Sequence, residues 1–241
     1  LSYLSTLGGC AAEFWLRSTF TRFTPEQRAA VLAKWSTRML AALHVSVTSS
    51  GEPPPEGLII SNHLSYLDIM VFSSITHCVF VSKSEVKSWP VIGPITTRSG
   101  AVYVDRTRRS DTQNVRPRMQ AALSHGLRLM VFPEGTSSDG SQVLRFHSSL
   151  FQPAVDLNTP VTAAAIRYAV PGGDPAVDAC YWGDMVLGTH LLNLLQKDSV
   201  EATVRFSEQH FRFTDRKEAA RVMQQEVERL FTAQTLPSLT T

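Results

Sequence analysis

The chain has 241 residues, 43% of them hydrophobic and 18% charged, with a net charge of +2. That balance supports a buried core and excludes a disordered chain, and so small a net charge gives no ground for a nucleic-acid partner. Cys10, Cys78 and Cys180 are widely spaced without a Cys-x-x-Cys pattern, and the seven histidines include no His-Glu-x-x-His spacing. The sequence therefore supports neither a disulfide framework nor a metal site, and it fits a reducing compartment.

The first residue is Leu, which leaves open a membrane-spanning segment upstream, and no run of about 18 apolar residues follows within the chain. Leu1 to Phe23 mixes Leu4, Leu7, Phe14, Trp15, Leu16 and Phe20 with Arg17 and Arg22, a pattern for a helix lying in a membrane interface or packed on the core. Thr24-Pro25-Glu26-Gln27 predicts a sharp helix start, with Thr24 as cap, Pro25 at the first helical position and Gln27 closing a capping box. Leu32, Trp35, Met39 and Leu43 then recur at helical spacing, and His44 to Thr48 alternates as a short strand. Three consecutive prolines, Pro53 to Pro55, make residues 49–57 a linker between a helical segment (1–48) and a catalytic domain (58–234).

In the second region, strands are predicted at Leu58 to Ser61, Val79 to Ser82, Ala101 to Val104, Leu127 to Phe132, Val161 to Ile166 and Glu201 to Phe206. Helices are predicted from the His63 turn to about Thr76, at Thr112 to Ser124 (regular only beyond Pro117), Phe146 to Val155, Met185 to Leu195 and Arg216 to Thr232, with a frayed tail from Pro237. The alternation predicts an α/β fold, a mixed and mostly parallel sheet flanked by helices. Ligands collect beyond strand ends in such sheets, and His63, Lys83, Arg106 and Glu134 each follow a predicted strand.

The stretch Leu58-Ile59-Ile60-Ser61-Asn62-His63-Leu64-Ser65-Tyr66-Leu67-Asp68 organises this region. Residues five apart on one α-helix point about 140° away from each other, so His63 and Asp68 meet only if His63 occupies the turn before the helix. Asn62 and Ser65 are both natural caps for that turn. An imidazole paired with a carboxylate has a fixed tautomer and raised basicity, which suits a general base. Ser65 is read as a helix-start residue, not a nucleophile. No Gly-x-Ser-x-Gly elbow occurs, and Ser141 stands where a phosphate loop beginning at Gly135 needs lysine.

Asn62-His63-x-x-x-x-Asp68 together with Phe132-Pro133-Glu134-Gly135-Thr136 resembles the glycerolipid acyltransferase family typified by 1-acylglycerol-3-phosphate acyltransferase. Lys83-Ser84-Glu85 with Trp89-Pro90-x-Ile92-Gly93, and Gly100 through Arg106, match two further family motifs in order and spacing. The resemblance runs from about Leu58 to Tyr168. It departs in the fourth segment, where Ala163 stands near the place of a family proline, and no role is assigned to the residues there.

The resemblance implies transfer of a fatty acyl group from an acyl thioester, on coenzyme A or acyl carrier protein, to the free hydroxyl of a lysophospholipid. Lysophosphatidic acid is the leading acceptor. Gly135-Thr136-Ser137-Ser138-Asp139-Gly140 also fits an extension of related lyso-ornithine lipid O-acyltransferases. In this reading His63 is the base and Asp68 its orienting partner. Arg106, with Lys83, holds the acceptor phosphate, and Phe132, Pro133, Glu134, Gly135 and Thr136 lie at the acceptor. Glu134 orients the glycerol or bonds the Gly135 loop, and backbone N–H groups near Gly135 and Thr136 are candidate oxyanion donors. Between residues 98 and 118, Arg98, Arg106, Arg108, Arg109, Arg116 and Arg118 face only Asp105 and Asp111, a basic field for phosphate or an anionic bilayer. No cofactor is expected beyond the co-substrate. The N-terminal helical pair is expected to seat the enzyme on the cytoplasmic face of the inner (plasma) membrane. A non-catalytic lipid-binding module and a thioesterase using water are the competing readings.

Overall fold

The computed structural model describes residues 23–88, 92–104 and 109–233. Helix α1 (Pro25–Ala42) begins as its sequence requires: Thr24 Oγ1 accepts the Gln27 N–H, the Gln27 side chain accepts the Thr24 N–H, and Pro25 occupies the first turn. It leads into β1 (Val45–Ser50) and β2 (Gly57–Ile60). Gly57 is required where β2 starts. Its φ is +100°, and a Cβ there would lie 2.5 Å from the Pro160 carbonyl oxygen.

After β2 come α2 (Leu67–Ile75), β3 (Val79–Lys83), a 3₁₀ turn (Ser84–Ser88), α3 (Ile92–Arg98), β4 (Val102–Val104) and α4 (Arg109–Ser124). They are followed by β5 (Arg128–Val131), a 3₁₀ turn (Ser148–Phe151), α5 (Gln152–Asp156), β6 (Val161–Ala169), α6 (Pro175–Asp178), α7 (Leu187–Leu194), β7 (Val200–Phe211) and α8 (Arg216–Thr232).

These strands form a seven-stranded sheet in the order β1-β7-β6-β2-β5-β3-β4. Strands β6, β2, β5, β3 and β4 are mutually parallel, β7 is antiparallel to β6, and β1 runs parallel to β7. The architecture is thus an α/β fold with a mixed, mostly parallel sheet between helices. Side chains alternate between two cores as the period of two demands. Ile59, Met130, Ala164, Ile166 and Val204 face a core closed by Leu32, Trp35 and Met39 of α1 and Val71 and Phe72 of α2. Leu58, Ile60, Leu129, Val131, Ala163 and Ala165 face the other, closed by Met119 and Leu123 of α4 and by Ala219, Met223 and Val227 of α8. A side chain such as Phe72, fully enclosed, contributes about 1.5–3 kcal/mol of burial.

Strand direction matters for function. Strands β2, β5 and β3 run in one direction and finish toward the same end of the sheet, Ile60 beside Val131 and Lys83 three residues beyond the Phe80–Met130 pair, whereas β6 continues past Ala163, the partner of Ile60, to Ala169.

Several elements differ from the sequence expectation. The helix predicted at Phe146 to Val155 is a 3₁₀ turn followed by a five-residue helix, because Pro153 lacks the N–H that a continuous helix needs at that position. Conversely, α4 runs through Pro117, which deletes one helical hydrogen bond while Met119 and Leu123 anchor the helix to the core. Helix α3 has no counterpart in the sequence reading: Gly93-Pro94 signals a turn, yet proline in a first turn removes only an N–H that has no helical partner. Strand β7 continues to Phe211, well past the predicted Phe206, because beyond its pairing with β1 it stays paired with β6, His210 with Thr162 and Phe211 with Val161. The predicted helix over Leu1 to Phe23 falls on residues 1–22, outside the described residues, and none of the described helices is long and apolar enough to cross a membrane.

Candidate active site

Strand β2 leaves the sheet at Ser61, whose N–H still donates to the Val131 carbonyl at 3.2 Å. The next residue continues the ladder by other means. Asn62 is buried, its amide group donates to the Ile166 carbonyl at 2.9 Å, and its side-chain oxygen accepts the Ile166 N–H at 2.9 Å. A side chain thereby replaces one strand residue against β6. Asn62 does not cap α2, and Ser65 Oγ is buried with no hydrogen-bond partner among the described residues.

The turn is capped instead by Asp68, fully buried in the first turn of α2. Its Oδ2 accepts the N–H groups of Leu64 (2.7 Å) and Ser65 (3.1 Å) and also His63 Nδ1 (2.7 Å). Its Oδ1 accepts the Tyr168 hydroxyl at 2.7 Å. His63 is thus in the turn and Asp68 on the helix, the arrangement the five-residue spacing requires. A carboxylate can only accept from Nδ1, so Nδ1 carries the proton and Nε2 keeps its lone pair. The His63 side chain is 23% exposed against 0% for Asp68, so a reactant can approach the imidazole while its partner stays dry.

The imidazole ring lies on Phe132, with centroids 4.3 Å apart and planes 13° apart. Its backbone is held on both sides, as His63 N–H donates to Glu134 Oε2 at 3.0 Å and the His63 carbonyl accepts from Ser138 N–H at 3.0 Å. The second carboxyl oxygen of Glu134, Oε1, accepts the Leu144 N–H at 2.9 Å. Burial pushes the Glu134 carboxyl up to about 8, against the lowering effect of these two donors. With both oxygens occupied, Glu134 clamps the turn after β5 to the turn after β2. Pro133 and Gly135 shape that clamp. Gly135 has φ +75°, and its N–H closes onto the Phe132 carbonyl at 3.2 Å, which removes it as an oxyanion donor in this arrangement. Thr136 is exposed beyond the turn.

Lys83 ends β3 on the same sheet edge. Arg106 lies outside the described residues, two positions beyond the end of β4. The structure therefore brings His63, Asp68, Phe132, Pro133 and Glu134 into one cluster and places Lys83 at a neighbouring strand end. Cys78 and Cys180 are buried and their thiols pushed up to about 12, so neither is suited to act as a thiolate.

Two residues of the cluster escape the sequence reading. Asn62 is expected to cap a helix and instead extends a strand pairing. Tyr168, at the end of the segment given no role, reaches Asp68 from a strand 100 positions later. Chemically, the cluster offers a proton acceptor of fixed tautomer over an aromatic floor, backed by a buried carboxylate.

A model of the Acyltransferase family matches residues 44–167. Over 186 residues, 76% of this chain and 72% of the relative, it is 32% identical to 1-acyl-sn-glycerol-3-phosphate acyltransferase of Neisseria meningitidis serogroup B. Over 195 residues, 80% of this chain and 75% of the relative, it is also 32% identical to lyso-ornithine lipid O-acyltransferase of Pseudomonas aeruginosa. The crystal structure of the 1-acyl-sn-glycerophosphate (LPA) acyltransferase PlsC of Thermotoga maritima superposes with a TM-score of 0.65 at 20% identity, covering 93% of this chain and 90% of that one, a likeness of fold. The chain belongs to the acyltransferase family and is an acyltransferase.

Proposed function

We propose that this enzyme moves a fatty acyl group from an acyl thioester, on coenzyme A or acyl carrier protein, to the free hydroxyl of a lysolipid, with lysophosphatidic acid as the leading acceptor. The observation that carries the reading is the His63–Asp68 pair, 2.7 Å apart at a strand end, with the imidazole partly exposed and its carboxylate buried. Nε2 takes the acceptor hydroxyl proton as the oxygen bonds to the thioester carbonyl carbon. The oxyanion collapses, the C–S bond breaks, and the thiolate takes the proton back from Nε2. No covalent acyl-enzyme is needed. Asp68 stabilises the imidazolium formed between the two transfers. Lys83, the last residue of β3, and Arg106, two positions after β4 in sequence, suit a phosphate on the acceptor. Amphiphilic acceptor and product suit reaction at a membrane surface, and a thioester on coenzyme A or acyl carrier protein suits its cytoplasmic face.

Lyso-ornithine lipid is the second acceptor reading. Lyso-ornithine lipid O-acyltransferases match this chain at 32–35% identity, as closely as the lysophosphatidate enzymes do. Purified protein in mixed micelles, offered labelled palmitoyl-CoA or palmitoyl carrier protein with each lysolipid in parallel, separates the two. Labelled phosphatidic acid from the parent, lost in His63→Ala, is the expected result. Label in the aminolipid alone would keep the mechanism and change the acceptor. Transfer that persists in His63→Ala would overturn the base assignment, and thioester hydrolysis undiminished without lysolipid would replace the transferase reading by a thioesterase.

A further inference from the structure

We infer that Tyr168 is a positioning residue for acyl transfer, acting on His63 through Asp68, and that its hydroxyl sets the pH at which the base becomes competent. The inference rests on the reading of His63 as base.

Asp68 is fully buried and accepts four donors, divided unequally. Three converge on Oδ2: His63 Nδ1 and the two turn amides. Oδ1, the oxygen remote from the imidazole, has the Tyr168 hydroxyl at 2.7 Å. That single bond fixes the rotation of the carboxylate about its own axis. Without it, Oδ1 is a buried charged acceptor lacking its donor, and the carboxylate has reason to turn and share Oδ2 away from His63. Tyr168 itself is well anchored, 8% exposed on β6, whose pairing with β2 is extended by the Asn62–Ile166 bonds two residues before it. It is therefore a fixed donor aimed at a fixed acceptor.

The hydroxyl also has an electronic consequence. A donor on Oδ1 draws charge away from Oδ2 and so weakens the pull of Asp68 on the His63 proton. The other titratable groups facing Asp68 are Glu134 from the turn after β5 and Cys180 after α6. Burial raises the pKa of both, which leaves Tyr168 as the side-chain hydroxyl that tunes the carboxylate beside the two turn amides. Burial and the Asp68 charge raise the Tyr168 pKa well above the usual phenol value, so it remains a donor across the working range.

The sign follows. The active form has Asp68 ionised and His63 neutral. Removing the hydroxyl raises the proton affinity of both, so the acid limb of kcat/KM moves to higher pH. A hydrogen bond to a charged group corresponds to about 1–2 pH units in full, and partial transmission to His63 leaves about 1 unit.

The test compares parent, Tyr168→Phe and a chain carrying difluorotyrosine at 168, with His63→Ala alongside, measuring kcat/KM against pH and thermal melting. Tyr168→Phe is expected to shift the acid limb up by about 1 pH unit and to lower the plateau on the order of tenfold with little change in acceptor KM. Difluorotyrosine keeps the shape and strengthens the donor, so its limb moves the opposite way. Should Tyr168→Phe melt below the assay temperature, the difluorotyrosine chain decides alone. A limb that stays fixed in the folded variants, whatever happens to the plateau, overturns the inference. The His63 Nδ1 proton resonance supplies an answer independent of turnover: it moves in the Tyr168 variants if the coupling exists and stays put if it does not. Activity surviving in His63→Ala would instead refute the base reading, and the two failures are thereby distinguished.

Discussion

Asp68→Asn tests the chemistry of the site with the least disturbance of its structure. Three donors converge on Oδ2 and one on Oδ1, so the amide has a single good orientation. Its oxygen replaces Oδ2, accepting His63 Nδ1 and the amides of Leu64 and Ser65. Its NH₂ replaces Oδ1 and meets the Tyr168 hydroxyl, which rotates to accept. The turn and the histidine tautomer both persist, and what is lost is the charge. With Nδ1 2.7 Å from the carboxylate, the charge centres of an imidazolium–carboxylate pair lie about 4 Å apart, worth about 4 kcal/mol at an effective dielectric constant of 20. If that interaction is realised only when His63 carries the proton, kcat falls on the order of a thousandfold while KM changes little. The assay is steady-state acyl transfer in mixed micelles with both substrates varied, alongside a melting curve. A folded Asp68→Asn enzyme within about tenfold of the parent kcat would refute the reasoning, because His63 would then not become charged on the reaction path. Asp68→Ala should behave differently, since it strands two turn amides and a tyrosine hydroxyl and lowers stability as well as activity.

Two further predictions concern the scaffold. In Glu134→Gln one of the two backbone donors, His63 N–H or Leu144 N–H, must face an NH₂ group, which costs about 1–3 kcal/mol and lowers the melting temperature. The same variant removes a pH dependence. The folded Glu134 pKa of about 8 lies above its ordinary 4.5, so the folded state binds the extra proton between these values and stability declines as pH rises through that window. Melting temperatures across pH should show that decline in the parent and a flatter profile in Glu134→Gln; identical slopes would contradict the assignment. Asn62→Ala strands the Ile166 N–H and carbonyl in the core, and urea melts should show a loss of about 2 kcal/mol or more. Faster hydrogen exchange at the Ile166 amide should accompany that loss, and an unchanged exchange rate would contradict the bridge.

How much of this was legible depends on the range of the interaction. Thr24 and Gln27 share one helical turn, and their capping box forms as their spacing predicts. His63 and Asp68 lie five positions apart, and helix geometry alone admits one arrangement in which they touch, the one observed. Strand ends carrying His63, Lys83 and Glu134 were also readable, because apolar runs closed by polar or proline residues mark where a buried strand must stop. What failed was assignment of polar side chains whose partners are distant. Asn62 has the composition of a cap, yet its partner is Ile166, 104 positions away. Glu134 reads as an acceptor-site residue, and the sequence does not reveal that its two oxygens accept His63 N–H, 71 positions back, and Leu144 N–H. Tyr168 reads as the end of an apolar segment, because nothing in its neighbours reveals that β6 lies beside β2. Sheet order is set by which crossovers bury both faces, a property of the whole chain, whereas a cap or a helix face is a property of a few residues. Local chemistry was therefore readable at His63 and Asp68, and the partners that fix their geometry became identifiable only once strand order placed β6 and β5 on either side of β2.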